Sequence, residues 1–422
     1  MTNCDFRFSP FPRYAPGIVF AVVLAVYLLS GLPGHPLTFG PFHHHLAQAR
    51  AFLDGRLDLK RFPPDVELAY FDEKAFVVLP PGPSVVLMPL VALGDSRWNL
   101  VPLHGLLSAS SGLLMLGALR RRGASAGTSW TTAAAFGFGT VLWWVTCQKG
   151  AWHTAQVMSV FSLCLALWLV QGGRAPIAVG LLVGFSAICR QLTVFAAPYF
   201  MYQLLLGTRR RATRQDGNRS AAEAYGGSTL TPTLSLEGRG SSGPLAVLQF
   251  LIGAAIPLCF YLWLNYARFG NPFDTGYRYI NLRPPGLDKY LAYGLFSLGH
   301  LPENLFTLLF APPRWSEVFP YFHPDFFGQA MIFTSPFVFY AFRAGCRTRE
   351  HQVLWLCIAL ILAPQLLYFN NGFAQFGFRF ALDFLPLMMI LVADGFGRRL
   401  SIGALVTVAL SVGMNLLGVC TL

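Results

Sequence analysis

The sequence predicts an all-α integral membrane protein with about eleven transmembrane helices. Of its 422 residues, 54% are hydrophobic and only 12% are charged, whereas soluble domains carry about 25% charged residues. Apolar stretches of about 20 residues, the length that crosses the hydrocarbon core as a helix, recur along the chain. The basic residues cluster between these stretches. Composition and spacing together exclude a soluble domain.

The eleven apolar stretches are predicted to be helices because a helix satisfies its own backbone hydrogen bonds within lipid. The fifth and sixth are short and almost continuous. They cover approximately residues 15–33, 99–119, 127–146, 153–172, 175–190, 191–207, 244–266, 326–344, 352–369, 377–395 and 401–419.

Clusters of arginine predict the orientation of these helices. They occur at Arg120–Arg122, at Arg209–Arg211, at Arg347 with Arg349, and at Arg398–Arg399. Lys and Arg mark cytoplasmic loops, so these clusters and the N-terminus are expected on the cytoplasmic side. The net charge of +12 then reflects membrane topology, and no nucleic-acid partner is expected.

Two long segments must consequently lie outside the cytoplasm. In the first, residues 34–98, the spacing from His43 to Phe52 predicts an amphipathic helix on the membrane surface. An acidic stretch follows it. The apolar run from Ser84 to Leu93 is too short to span the membrane and is expected to lie at the interface. The second segment, residues 267–325, is aromatic and contains another amphipathic stretch.

The chain divides into two transmembrane halves, residues 1–207 and 244–422. Between them, residues 208–243 are rich in Arg, Ser, Thr, Gly and Pro and show no hydrophobic period, which predicts a disordered cytoplasmic linker. The eight cysteines are scattered and form no metal-binding pattern, so we interpret them as small core residues.

Five stretches together resemble a known family. They are HHHLAQARAFLDGRLDL, LAYFDEKAFVVLPPGPSVVLMPLVALG, GAWHTAQVMSV, NYARFGNPFDTGYRYI and AQFGFRFALDFLPLMMIL. In this order they are similar to bacterial GT-C-type membrane glycosyltransferases of the glycosyltransferase 39 and RgtA/B/C/D-like group, which is related to protein mannosyltransferases. The resemblance covers nearly the whole chain except residues 208–243.

The resemblance implies a GT-C-like fold and a reaction at the bacterial cytoplasmic membrane. Such proteins move a sugar from a polyprenyl-phosphate carrier to an extracytoplasmic lipid, glycan or protein. The expected partners are therefore the lipid-linked donor, the acceptor and membrane lipids. No cofactor is expected, and a divalent metal is not indicated by the residues.

The family usually places a carboxylate near the start of the first outward loop, as the base for the acceptor hydroxyl. Here the matching stretch contains His43, His44 and His45 and no Asp or Glu. A neutral imidazole can serve as the base, although an interfacial or structural role is the alternative. Consecutive histidines point in different directions on a helix, which disfavours a metal site. Asp65 is the next candidate base, with an ordinary solvated loop as its alternative.

Arginines at the outer ends of two spans are the candidate phosphate ligands. Arg190 ends the fifth span and Arg379 begins the tenth. A charge in a span costs about 2.5–3.5 kcal/mol on insertion scales, so it usually serves a function, and an arginine fork matches phosphate oxygens. The alternative for Arg379 is an i,i+4 ion pair with Asp383.

The remaining candidate substrate contacts are Lys149, Trp152 and His153, between the third and fourth spans, and Arg278 between two tyrosines. Anchoring at the membrane interface explains such residues equally well. The sequence thus predicts a glycosyltransferase. The alternatives are a transporter or flippase for lipid-linked sugars and a non-catalytic GT-C-like protein. We find no internal repeat of the kind typical of transporters, and the missing loop carboxylate favours the non-catalytic alternative.

Overall fold

The computed structural model describes residues 15–31, 43–60, 68–94, 98–173, 175–206, 243–280, 292–318, 321–323, 325, 327–372 and 375–421. The candidate base Asp65, the cluster Arg209–Arg211 and the predicted linker up to residue 242 lie outside the described residues.

The described part of the chain is mainly helical. Its helices are α1 (Ala15–Gly31), α2 (His44–Leu53), α3 (Gly82–Ala92), α4 (Val101–Arg122), α5 (Ala126–Phe138), α6 (Leu142–Cys147), α7 (Ala151–Gln171), α8 (Pro176–Ala187), α9 (197–206), α10 (Gly243–Phe269), α11 (Leu301–Leu309), α12 (Met331–Thr334), α13 (Ala341–Ala344), α14 (Arg349–Leu367), α15 (Leu385–Phe396) and α16 (Ile402–Thr421). Three pairs of short strands accompany them: β1 (Leu68–Phe71) with β2 (Lys74–Val77), β3 (Arg314–Trp315) with β4 (Phe322–His323), and β5 (Phe327–Gln329) with β6 (Gln375–Gly377).

Among the described residues, five helices are long and apolar enough to cross a membrane: α4, α7, α10, α14 and α16. Shorter apolar helices are found within α1 and at α3, α8 and α15. A helical multi-pass membrane protein is therefore confirmed, whereas the predicted number of eleven spans is not.

Several of the predicted spans are not single continuous α-helices, and for these the prediction of an unbroken helix was wrong. Residues 127–146 divide into α5 and α6, with the break at Gly139. Residues 326–344 divide into β5, α12, the 3-10 segment Pro336–Tyr340 and α13. Pro336 explains the second break, because proline lacks an amide hydrogen and disfavours helical backbone at the residue before it.

The tenth predicted span begins differently from an ordinary transmembrane helix. Strand β6 pairs in parallel with β5, the 3-10 segment Arg379–Asp383 follows, and only then does α15 begin. Irregular backbone at membrane depth is tolerated where protein surrounds it. This break brings two ionisable side chains, Arg379 and Asp383, into the protein interior.

The arginine clusters within the described residues gather at one end of the helices, as their positions in the sequence predicted. Arg122 at the end of α4 forms ion pairs with Glu350 at the start of α14 and with Asp394 near the end of α15. These contacts place Arg120–Arg122 beside the segments that carry Arg349 and Arg398. We call this the arginine-rich end.

The opposite end carries the described parts of the two long loops. The predicted surface helix is present as α2, and α3 matches the predicted interfacial segment. Between them, β1 and β2 form a hairpin whose turn residues, Asp72 and Glu73, have φ of 51° and 57°, as in a type I′ turn. Ile280 of the second loop bridges to Ala69 of this hairpin. The two loops are therefore joined by backbone pairing.

Helices α8 and α10 pack closely through glycines. A Cβ atom at Gly180 would clash with the carbonyl oxygen of Phe250, and one at Gly253 would clash with that of Ile177. Small residues allow two helix backbones to approach in this way within a membrane. The close packing fixes the end of α8, from which Arg190 projects.

Candidate active site

Arg379 lies in the protein interior at the end opposite the arginine-rich end. Its guanidinium carbon is 5.3 Å from the centroid of the Trp152 ring and 5.1 Å from that of Phe380, which are cation–π distances. Gln156 donates a hydrogen bond of 2.9 Å to the Arg379 carbonyl oxygen. The first turns of α7 thus hold both the backbone and the side chain of Arg379.

Arg190 approaches the same aromatic ring. Its guanidinium carbon is 5.3 Å from the Phe380 centroid, and its Nε and Nη2 atoms each donate a 2.9 Å hydrogen bond to Asp383. Gln365 donates a third hydrogen bond to this carboxylate. The sequence offered Asp383 as an i,i+4 partner for Arg379; in the structure Asp383 instead forms a bidentate ion pair with Arg190.

The second long loop also reaches this region. Tyr277 and the nearby Tyr368 interact electrostatically with Arg190. Tyr277 lies two and three residues before Tyr279 and Ile280, which pack against the hairpin of the first loop. The second loop therefore reaches Arg190 and packs against the first loop.

Four histidines lie around the first turn of α7. The rings of His43 and His104 each contact the Thr154 hydroxyl through Nε2, at 3.3 and 3.0 Å. His45 contacts the Ser84 hydroxyl at 3.0 Å, and Ser84 donates to Gln48. His153 packs its ring edge-on against Trp144, with centroids 5.3 Å apart.

Burial disfavours the charged form of two loop histidines at this site. Burial, with His104 and His44 nearby, lowers the pKa of His43 to about 3. Burial likewise lowers the pKa of His45 well below its ordinary value. Among the described residues, no group of three or more His, Cys, Asp or Glu side chains is arranged to hold a metal ion.

The structure brings together some of the predicted site residues and separates others. Trp152, His153, Arg190 and Arg379 converge, with His43 and His45 beside them. His44 is buried within α2. Lys149 is only partly exposed in the turn before α7.

Arg278 lies apart from this group on the surface. It forms an i,i+4 ion pair of 2.5 Å with Asp274, and its guanidinium carbon is 4.8 Å from the ring of Tyr279. Its role as a substrate contact remains a prediction.

Sequence reasoning missed several residues that build the site. His104, Thr154 and Gln365 all lie inside predicted spans, and all three are buried and hydrogen-bonded. A polar side chain within an apolar span is the signal that could have identified them. Phe380, which contacts both arginines, gives no such signal because aromatic residues are common throughout the chain.

No family model and no curated protein matches the chain. Solved structures do match over nearly its whole length. One is ArnT from Cupriavidus metallidurans bound to undecaprenyl phosphate, with TM-score 0.47 and 16% identity, covering 97% of this chain and 64% of ArnT. Another is the oligosaccharyltransferase AglB from Archaeoglobus fulgidus with an inhibitory peptide and a dolichol-phosphate, with TM-score 0.46 and 12% identity, covering 98% of this chain and 56% of AglB. The chain thus spans a little over half the length of these proteins.

Proposed function

We propose that this protein is a membrane glycosyltransferase. It moves a sugar from a polyprenyl-phosphate-linked donor to an acceptor at the outer face of the bacterial cytoplasmic membrane. The donor class follows from the sequence resemblance. The observation that carries the proposal is the convergence of Arg379 and Arg190 on Phe380, with Trp152 on Arg379, at the end opposite the arginine-rich end.

This arrangement suits a phosphate leaving group. When the bond between the sugar and the carrier breaks, negative charge develops on the phosphate, and cations already oriented in a protein environment stabilise that charge. The Trp152 and Phe380 rings orient the Arg379 guanidinium group. Asp383 accepts hydrogen bonds from the Nε and Nη2 groups of Arg190. The Nη1 group of Arg190 is therefore the one that can contact a phosphate oxygen.

Trp152 provides a second element of recognition. Its indole lies next to Arg379 and next to His153 in the chain, at the start of α7. An aromatic ring beside the phosphate cations can pack against the apolar face of the transferred sugar. Arg379 therefore suits the phosphate of a sugar phosphate, and Trp152 suits its sugar.

Donor cleavage by the purified protein tests this function. The protein is reconstituted in liposomes with radiolabelled polyprenyl-phosphate hexoses and pentoses and a membrane lipid extract as acceptor. We expect transfer of label to an acceptor together with release of polyprenyl phosphate. Movement of intact donor between leaflets without cleavage would instead identify a transporter.

The Arg379→Ala variant should lose this activity. Arg343→Ala is its matched control, because Arg343 also lies over an aromatic ring, with its guanidinium carbon 5.4 Å from the Tyr340 centroid, but is exposed and close in sequence to Arg347 and Arg349. Equal donor cleavage by wild type and Arg379→Ala would remove the proposed phosphate site.

A further inference from the structure

The directions of the hydrogen bonds around Thr154 show which histidine ring nitrogens already have a hydrogen-bond partner. His104 is fully buried, and burial disfavours its charged form. Its Nδ1 atom lies 3.1 Å from the Gln148 carbonyl oxygen, which only accepts hydrogen bonds, so Nδ1 carries the proton. The Nε2 atom of the neutral ring must then accept, and the Thr154 hydroxyl, 3.0 Å away, is its donor; this hydroxyl also lies 3.2 Å from the Gly150 carbonyl oxygen.

The same reasoning extends to His43. The one hydrogen of the Thr154 hydroxyl is directed towards His104 and the Gly150 carbonyl oxygen, so the Thr154 oxygen accepts from Nε2 of His43 at 3.3 Å. The Nδ1 atom of His43 accepts from the backbone N–H of Leu46 and caps the N-terminus of α2. Both ring nitrogens of His43 are therefore occupied, and the ring serves to position α2 against α7.

His153 differs from these two histidines. Only 3% of it is exposed, and neither of its ring nitrogens has a hydrogen-bond partner in the described part of the chain. Buried polar atoms of this kind are uncommon in folded proteins and require an explanation. The groups that interact with it electrostatically are Arg379, His104 and His43. Its chain neighbours at the start of α7 are Trp152, whose ring contacts Arg379, and Thr154, which is hydrogen-bonded to His43 and His104, so His153 lies at the point of α7 where these two groups meet.

We propose that His153 is the base that accepts the proton of the acceptor hydroxyl, an inference that rests on the proposed function. The hydroxyl oxygen forms a bond to the anomeric carbon of the sugar, and the bond from that carbon to the carrier phosphate breaks. The bonding electron pair leaves with the phosphate, and the hydroxyl proton passes to a ring nitrogen of His153. The imidazolium that forms lies near the newly released phosphate, whose negative charge stabilises it.

The other titratable groups at the site fit this role less well. Asp383 already receives three hydrogen bonds, two of them from Arg190. His45 has one ring nitrogen bonded to Ser84, and its Nε2 is buried without a described partner. Its ring contacts Ser84 of α3, whereas the chain neighbour of His153, Trp152, contacts Arg379. His45 therefore provides the comparison variant in the test.

The experiment compares His153→Asn, His153→Gln and His45→Asn in the reconstituted transfer assay. For both His153 variants we expect kcat to fall about 100- to 10,000-fold, with the KM for the donor changed less than threefold. The matched control is His351→Gln, which alters a histidine bonded to Asp394 at the arginine-rich end and should retain wild-type kcat.

Folding is checked independently of activity. The unfolding temperature is measured with and without polyprenyl phosphate, which should stabilise wild type and both His153 variants equally. A variant that still responds to polyprenyl phosphate yet lacks turnover supports the assignment. Full kcat in a His153 variant, or loss of kcat in His45→Asn alone, overturns it. If the wild type cleaves no donor, the proposed function itself fails, which is a distinguishable result.

Discussion

The guanidinium group of Arg190 and the carboxylate of Asp383 form a bidentate ion pair across 193 residues of sequence. The pair joins the end of α8 to the 3-10 segment that precedes α15. Because Arg379 and Phe380 belong to that same segment, the ion pair fixes both arginines relative to one aromatic ring. It also neutralises part of the positive charge that the two arginines bring into the interior.

Removing the carboxylate should destabilise the protein strongly. Asp383→Ala leaves the Arg190 charge largely buried, and breaking a buried ion pair costs about 3–5 kcal/mol. Thermal unfolding in detergent measures the loss. Replacing both partners, as Arg190→Met with Asp383→Leu, should recover most of the stability because no unpaired charge remains. Wild-type stability in Asp383→Ala alone would show that the ion pair has no such role.

The guanidinium fork of Arg379 should be required in addition to its charge. Arg379→Lys keeps the positive charge but loses the planar group that packs on Trp152 and Phe380. A hydrogen bond to a charged group contributes about 1.5–3 kcal/mol, so the affinity for polyprenyl phosphate should fall roughly 10- to 100-fold. Isothermal titration with polyprenyl phosphate gives the affinity. Arg343→Lys is the matched control, and equal affinities in both variants would contradict the expectation.

Acid should destabilise the protein through His43. Its pKa is about 3 in the folded protein and about 6.5 in an unfolded chain. Below about pH 6.5 the unfolded chain binds a proton that the folded protein does not, so stability falls as the pH decreases towards 3. Above pH 6.5 this contribution is constant. At pH 5 the loss from His43 amounts to about 2 kcal/mol.

The His43→Asn variant isolates this effect. Asparagine does not titrate and is a good helix N-cap, so its unfolding temperature should decrease less between pH 7.5 and pH 5 than that of wild type. Protonation of carboxylates elsewhere lowers the unfolding temperature of both proteins equally, so this contribution cancels in the comparison. Parallel declines in the two proteins would exclude His43 as a source of the acid sensitivity.

The sequence predicted the membrane class, several helices and the common side of the arginine clusters, because apolar length and charge asymmetry are local properties. It also named Arg190, Arg379, Trp152 and His153 from unusual charges or polar groups at span ends. It did not predict which of them interact. The pairing of Arg190 with Asp383 depends on how α8 packs against distant segments, and nothing local to either residue encodes it.

The broken spans were missed for a similar reason. Residues 326–344 and 377–395 have the apolar composition of single helices, yet β5 and β6 pair there across 48 residues of sequence. This pairing satisfies backbone groups that a continuous helix would have satisfied by itself. Pro336 and Pro386 are local signals that a helix is interrupted in these two spans. The distant strand partner could not be read from them.

Close packing between α8 and α10 should not tolerate larger side chains. Gly180→Leu forces the side chain into the backbone of α10 at Phe250, and overpacking of this kind costs about 1–3 kcal/mol. We expect a lower unfolding temperature and, because Arg190 follows α8, weaker binding of polyprenyl phosphate. The matched control is Gly112→Leu in α4, where a Cβ atom has open space. Equal unfolding temperatures for the two variants would exclude close contact at Gly180.

The proposed orientation can be tested with Cys346, which is a free and exposed thiol next to Arg347 at the arginine-rich end. Since basic clusters mark the cytoplasmic side, a membrane-impermeant maleimide should label Cys346 only after cells are permeabilised. The measurement uses a cysteine-free protein in which Cys346 alone is restored. Its counterpart carries only Glu73→Cys, at the exposed turn of the hairpin, and should be labelled in intact cells. The reverse pattern would place the arginines and histidines of the candidate site in the cytoplasm, where an extracytoplasmic acceptor cannot reach them.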